Sequence, residues 1–276
     1  MKRQIPALMA LCAWMLISAC YKKFDPHSYM PALTIGGYTS SNEVGATHLV
    51  AYWSFNGNLI DSISGAQGTA VNTSFANGVK GQALRIGSTD SYVLFPTSQR
   101  LVQLQSFTLS FWVNAQQNTN GTGGILSLSD TTAFWGNLDV FFENGSTTDH
   151  GFLKIHVNNN GTDAWLGNYQ INNLWGVWTS IAVSYDAASS TFKVFVNGNK
   201  IATQQVNNYG PIQFQYVGPL VFGTSQFMTN PSLTSATGSQ PWASFLNGLL
   251  DEVRVYDQAL SEEDINALVR LEGRGK

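Results

Sequence analysis

Residues 176–202 read "GVWTSIAVSYDAASSTFKVFVNGNKIA". Two strand-like runs, "WTSIAVSYD" and "FKVFV", flank the turn-forming "AASST". In the second run Phe192, Val194 and Val196 alternate with Lys193 and Phe195, the period of two that places successive side chains on opposite faces of a strand. Asn197-Gly198 comes next, a pair that accepts the positive φ values of a tight hairpin turn.

The same grammar extends outward. "LVAYWSF" at 49–55 alternates Ala51, Trp53 and Phe55 against Val50, Tyr52 and Ser54. Further strands are predicted at "GQALRI" (81–86), "SYVLFP" (91–96), "FTLSFWVN" (107–114), "GGILSLS" (123–129), "LDVFFEN" (138–144), "GFLKIHVN" (151–158), "PLVFG" (219–223) and "LLDEVRVY" (249–256). Short strands separated by Asn, Gly, Ser and Asp clusters indicate an all-β antiparallel sandwich or jelly roll. One helix is expected, at the C-terminus: Ser261 is a good N-cap, Glu262, Glu263 and Asp264 suit the first turn, and Ile265, Leu268 and Val269 form an apolar stripe. It is expected to pack on the edge of the sandwich.

With these elements in order, the chain resembles the laminin-G-like, concanavalin A-like jelly-roll family. Trp178, Val183, Tyr185, Asp186, Val196, Asn197 and Gly198 fall on that family's tryptophan-led strand, turn, and strand ending in Val-Asn-Gly. "LVAYWSFNGNLIDSISG", "GVKGQALRI", "SFTLSFWVN" and "FLNGLLDEVRVYDQALSEEDI" agree with it in order, so the resemblance spans residues 48–268. The family uses one fold for sugar binding, protein binding and occasional catalysis, so function must be argued from a site.

The N-terminus carries its own signal. Lys2 and Arg3 precede a 13-residue, mostly apolar run from Ile5 to Ile17, too short for the about 20 residues a membrane-spanning helix needs. "ISAC" (17–20) resembles the lipobox of bacterial lipoproteins, in which cleavage leaves a lipid-bearing cysteine at the new N-terminus, here Cys20. The expected organisation is a signal peptide at 1–19, lipidated Cys20 with a tether at 20–46, and one jelly-roll domain at 47–276. The only other cysteine, Cys12, lies inside the signal, so no disulfide is expected. The tether holds Tyr21, Phe24, Tyr29, Met30, Leu33, Ile35 and Tyr38, too aromatic for a plain spacer, and part of it is expected to order on a partner or on the domain.

Composition restricts the ligands. The full chain carries a net charge of −3, and losing Lys2 and Arg3 leaves 12 basic against 17 acidic residues, a net −5 with no basic run. Nucleic acid is excluded as a partner. Only 11% of residues are charged while 12% are aromatic, a balance suited to neutral, hydroxyl-rich ligands, sugars above all.

Adjacent acids in "NGLLDEVRVYDQAL" (247–260) raise the question of catalysis. On a regular strand Asp251 would share a side with Leu249, Val253 and Val255, and Glu252 with Arg254 and Tyr256 on a solvated side, so the two do not converge as an acid/base pair. Asp251 on an apolar face needs backbone donors, a cation or a raised pKa. The resemblance implies a structural calcium near the sheet edge, with Asp61 and Asp251 as candidate ligands; hydrogen-bonded structural acids are the alternative. Glycosidases of this jelly roll set acids on alternate residues of one strand, as in Glu-x-Asp-x-x-Glu, a run this chain lacks. Asp139 and Glu143 in "LDVFFE" read as strand-terminal acids, and His27, His48, His150 and His156 lack zinc spacing. No enzyme is expected.

Ligand contact is expected from aromatics in Asn/Gly-rich loops, which stack on sugar rings while amides serve the hydroxyls. "NNNGTDAWLGNY" (158–169) offers Asn160, Asp163, Trp165 and Tyr169; "TSQFMTNPSLTSATGSQPWASF" (224–245) offers Phe227 and Trp242; Trp135 in "TTAFWGN" joins them. Two roles follow: a lipid-anchored protein on the outer membrane of a Gram-negative bacterium that captures glycans at the cell surface, or an accessory subunit docked on an outer-membrane nutrient-uptake protein complex.

Overall fold

A computed structural model describes residues 34–118, 121–145 and 147–276. The signal segment, Cys20 and the tether up to Leu33 lie outside the described residues. The described unit runs from Thr34 to Lys276.

The alternating segments form β1 (Leu49–Trp53), β2 (Thr69–Val71), β3 (Ser74–Asn77), β4 (Gln82–Ile86) and β5 (Tyr92–Phe95). A single-turn helix α1 (Gln99–Val102) leads to β6 (Phe107–Ala115), β7 (Thr122–Asp130), β8 (Leu138–Asn144), β9 (His150–Asn159) and β10 (Thr162–Asn172). Then come β11 (Thr179–Asp186), β12 (Thr191–Val196), β13 (Asn199–Gln205), β14 (Val217–Phe222), β15 (Ala243–Phe245), β16 (Gly248–Tyr256) and the closing helix α2 (Glu262–Glu272).

They make two eight-stranded sheets. The first runs β13-β12-β11-β6-β16-β4-β3, with β1 also on β16; the second runs β10-β9-β8-β7-β14-β5-β2, with β15 on β7. Pairing is antiparallel except between β15 and β7. The expected sandwich is what the chain forms. Between the sheets lies one core in which Trp53, Phe95 and Phe222 meet edge to face. The Asn197-Gly198 turn has φ of 50° and 76°, the positive pair its sequence requires.

Helix α2 begins as expected, with Ser261 Oγ accepting the Asp264 N–H at 3.0 Å. Its position differs from expectation. It covers the outer face of the first sheet, where Ile265, Leu268 and Leu271 pack with Ala182, Phe195 and Tyr256. Phe195, which points to the face opposite Val194 along β12, is therefore buried beneath the helix. Ile35 and Val44 join this cluster, and Tyr38 donates to Asp264 at 2.7 Å, so residues 34–46 lie against the helix. That half of the segment folds back on the domain.

The acidic pair also departs from the regular-strand reading. A bulge interrupts β16 between Asp251 and Arg254, with Glu252 in the left-handed region at φ 48°. The extra residue resets the alternation: Leu250, Val253 and Val255 enter the core, while Asp251 and Arg254 pair with Trp112 and Ser110 on the outer face. Glu252 is not solvated. It is fully buried, as are Arg254 and Glu272. Arg254 donates to Glu252 from Nη2 and to Glu272 from Nε, both at 2.8 Å, and its guanidinium lies 3.9 Å from the centroid of the Tyr52 ring.

Candidate functional site

On the second sheet the outer face is aromatic. Val140 and Phe142 of β8 point into the core, which leaves Phe141 and Asp139 outside; likewise Ile155 and Val157 of β9 turn in and His156 out. Trp165 of β10 stands directly across from His156. Onto this face fold the β7–β8 connection, bringing Phe134 and Trp135, and the β14–β15 connection, bringing Phe227 and Trp242.

Trp135 is the centre. It stacks on Phe141 at 5.4 Å with planes 8° apart, meets Trp165 at 5.1 Å and 84°, and meets Trp242 at 5.9 Å and 45°. Phe227, fully buried, supports Trp135 and Trp242 from within. Trp165 and Trp242 keep 42% and 41% of their surface exposed. Large aromatics held open to water beside polar groups are the normal signature of a binding surface.

The loop carrying Trp135 is braced. Gln226, fully buried, accepts the Asp130 N–H at 2.7 Å and donates to the carbonyls of Ala133 and Phe134 at 2.8 and 3.0 Å. Asp130 accepts the N–H groups of Thr132 and Ala133, and Thr234 Oγ1 donates to Ala133 O. Such fixing lowers the ordering cost of binding.

Beneath Trp165 runs a polar chain. Ser127 Oγ donates to Asp139 at 2.5 Å, Asp139 Oδ2 meets His156 Nδ1 at 3.1 Å, and His156 Nε2 meets Asp163 Oδ1 at 3.0 Å. Asn158 Nδ2 also donates to Asp163 Oδ1 at 2.6 Å. Burial opposes charge on the imidazole, but hydrogen bonds and charge from Asp139 and then Asp163 outweigh it and hold His156 above its ordinary value. Asp139 is buried in this chain, where the sequence suggested only a strand terminus. Glu143 pairs with Lys154 at 2.7 Å.

Of the residues expected to contact ligand, Trp135, Trp165, Phe227 and Trp242 are brought together, and Asp163 adjoins Trp165. Trp165 sits in a strand, since "NNNGTDAWLGNY" is the β9–β10 hairpin, whose turn is Asn160-Gly161. Asn160 is exposed at that turn, its N–H bonded to Gln213 O. Tyr169 packs against the inner core instead of the aromatic face. Phe134, Phe141, Asp139 and His156 were the residues that sequence reasoning missed. The signal for Phe141 was present: adjacent Phe141 and Phe142 in one strand must face opposite ways.

Asp61 and Asp251 each hold backbone donors. Asp61 Oδ1 accepts Tyr52 and Ile63 N–H at 2.9 and 3.0 Å, and Oδ2 accepts Ser64 N–H at 3.3 Å. Asp251 Oδ2 accepts Val79 and Lys80 N–H at 2.7 and 3.1 Å, and Oδ1 accepts Glu252 N–H at 2.9 Å. A Cβ at Gly78 would lie 2.4 Å from Asp251 Oδ2, so glycine there permits the close approach. N–H donors occupy oxygens that a cation would need. Among the described residues no group of three or more His, Cys, Asp or Glu is arranged to hold a metal.

Residues 87–266, more than half of the chain, match the family described as the concanavalin A-like lectin/glucanases superfamily. The chain belongs to that superfamily. Among solved structures, the binding domain of Paraclostridial Mosquitocidal Protein 1 superposes with a TM-score of 0.62 at 14% identity, over 82% of this chain and 52% of that one. The binding domain of botulinum neurotoxin serotype D gives 0.60 at 12% identity, over 83% and 53%. This member of the superfamily thus spans about half the length of the toxin domains it matches. Domain 4 of AbnA, a GH43 extracellular arabinanase from Geobacillus stearothermophilus, solved with arabinotriose, gives 0.55 at 22% identity, over 80% and 98%. At these identities the likenesses establish the lectin/glucanase fold alone. No curated protein sequence matches the chain.

Proposed function

We propose that this protein is a non-catalytic glycan-binding lipoprotein, anchored in the outer membrane through Cys20, that captures polysaccharide on the outer face of its second sheet. The observation that carries the reading is the convergence of Trp135, Trp165 and Trp242 from three separate segments into one partly exposed platform. Indole faces supply stacking surface for sugar rings, and Asp163 and Asn158 supply hydroxyl partners beside it.

The acids of this face argue against hydrolysis. Asp139 is engaged by Ser127 and His156, and Glu143 by Lys154, so Asp163, the exposed acid of the face, has no second free carboxyl beside it for paired-carboxylate hydrolysis. The chain enters at Thr34 on the helix-covered outer face of the first sheet, and the platform occupies the outer face of the second.

A glycan-array and affinity-gel screen of the full chain tests the proposal. Retention by one glycan class, lost in Trp165→Ala with the circular dichroism spectrum intact, is the expected result. No retention on any glycan would overturn it in favour of docking on an outer-membrane protein complex, which co-purification from membranes would reveal.

A further inference from the structure

The tilt of the tryptophans restricts what can lie on them. Trp165 and Trp242 are inclined 84° and 45° to Trp135, so their own planes differ by at least 39°. A pyranose ring offers two parallel faces. One ring cannot stack on both exposed indoles. A ligand that uses both must place different sugar residues on them, and those residues must be rotated against each other along the chain. A crystalline polysaccharide surface presents coplanar rings and meets only one indole at a time.

Charge restricts the ligand further. Asp163 has 52% of its side chain exposed, and the bonds from His156 and Asn158 both go to Oδ1, with Oδ2 taken by neither; Asp163 lies two residues before Trp165 on the same strand. A carboxylate there accepts sugar hydroxyls and repels uronates or sulfates. The nearby basic groups are already paired: His156 lies between Asp139 and Asp163, and Lys154 is on Glu143.

Resting on the glycan-binding reading, the geometry points to a defined ligand class: an uncharged, soluble single glycan chain, engaged over at least two residues with a twist between successive rings. Crystalline polysaccharide and polyuronates are not ligands of this site. Asp163 acts as a specificity-determining residue.

The test uses the full chain with three sets of probes: soluble neutral polysaccharides (β-1,3-glucan, xyloglucan, arabinan, mannan) in affinity gels, microcrystalline cellulose and chitin in pull-downs, and pectate and alginate. For any polymer retained, calorimetry on its oligosaccharide ladder follows. Expected are retention by a neutral soluble polymer, affinity at least tenfold higher for a multi-residue oligosaccharide than for the monosaccharide, and a separate loss on changing Trp165 or Trp242 to Ala. Trp→Phe variants, which keep a stacking face, should retain partial affinity and so exclude misfolding as the cause. Asp163→Asn should admit pectate or alginate. Retention by crystalline polymer or polyuronate, or a monosaccharide that binds as tightly as its oligomers, would overturn the inference while leaving glycan binding in place. No retention anywhere would remove both.

Discussion

The imidazole of His156 packs against the indole of Trp165 with ring centroids 4.5 Å apart and planes tilted by 38°. A buried group bonded to Asp139 within and Asp163 without thereby sets the position of an exposed aromatic and an exposed acid together. His156→Leu removes both bonds and leaves Asp139 buried without that donor, at a cost of about 1–3 kcal/mol. Because folding raises the pKa of His156 above 6.5, its contribution is full below that value and is lost as pH rises through the native value. Urea unfolding across this range should show the gap between wild type and variant closing as pH rises. A gap that widened would contradict the assigned bonds.

Two carboxyls act in the same direction. Burial pushes Asp251 and Glu272 up to about 7, from ordinary values of 3.8 and 4.5, although hydrogen bonds to Asp251 and the charge of Arg254 beside Glu272 oppose it. A carboxyl whose pKa rises on folding binds its proton more tightly in the native state, so the stability it lends is present below the unfolded value and is lost as pH climbs through about 7. Denaturation midpoints of the wild-type protein should therefore fall between about pH 5 and pH 8. A midpoint that rose over that interval would show both acids to be stabilised as anions.

Most of the fold was legible because strands and turns are local: the alternation at 192–196, the Asn197-Gly198 turn and the Ser261 cap each follow from a few neighbouring residues. What the local pattern could not supply was the extra residue in β16. Nothing in "LLDEVRV" distinguishes a regular strand from one with Glu252 in the left-handed region, and that single bulge reverses the side on which Asp251 lies. The tryptophans were visible as candidates, but their convergence depends on which strands neighbour which. Phe141 and His156 became part of the site only when β8 was set beside β9.

The calcium expectation has a direct test. Both oxygens of Asp61 and of Asp251 accept N–H bonds, so a cation would compete with the backbone for them. Thermal unfolding with calcium and with chelator should give the same Tm. A Tm that rose with calcium would show that the ion competes successfully with the backbone at one of these carboxylates.

The buried triad at the other face gives the sharpest stability prediction. Glu272 is the last residue of α2; its Oε1 accepts from Arg254 Nε and its Oε2 from Trp112 Nε1, both at 2.8 Å. Through it the helix is held to β16 and β6, and through Arg254 Nη2 to Asn42 at 3.2 Å the residues before β1 are held as well. Glu272→Gln keeps the shape but leaves Arg254 with Glu252 as its only carboxylate partner and turns one acceptor into a donor. Above about pH 7, where Glu272 is ionised, breaking a buried pair in this way costs about 3–5 kcal/mol; below it, where Glu272 carries its proton, Gln should cost less. Denaturant unfolding should show a loss of this order, and hydrogen exchange should show it first in α2 and residues 34–46. The aromatic platform lies across the sandwich, so ligand retention by Glu272→Gln below its unfolding transition should match wild type. Equal stability of variant and wild type would mean that apolar packing of Ile265, Leu268 and Leu271 holds the helix without the ion pair.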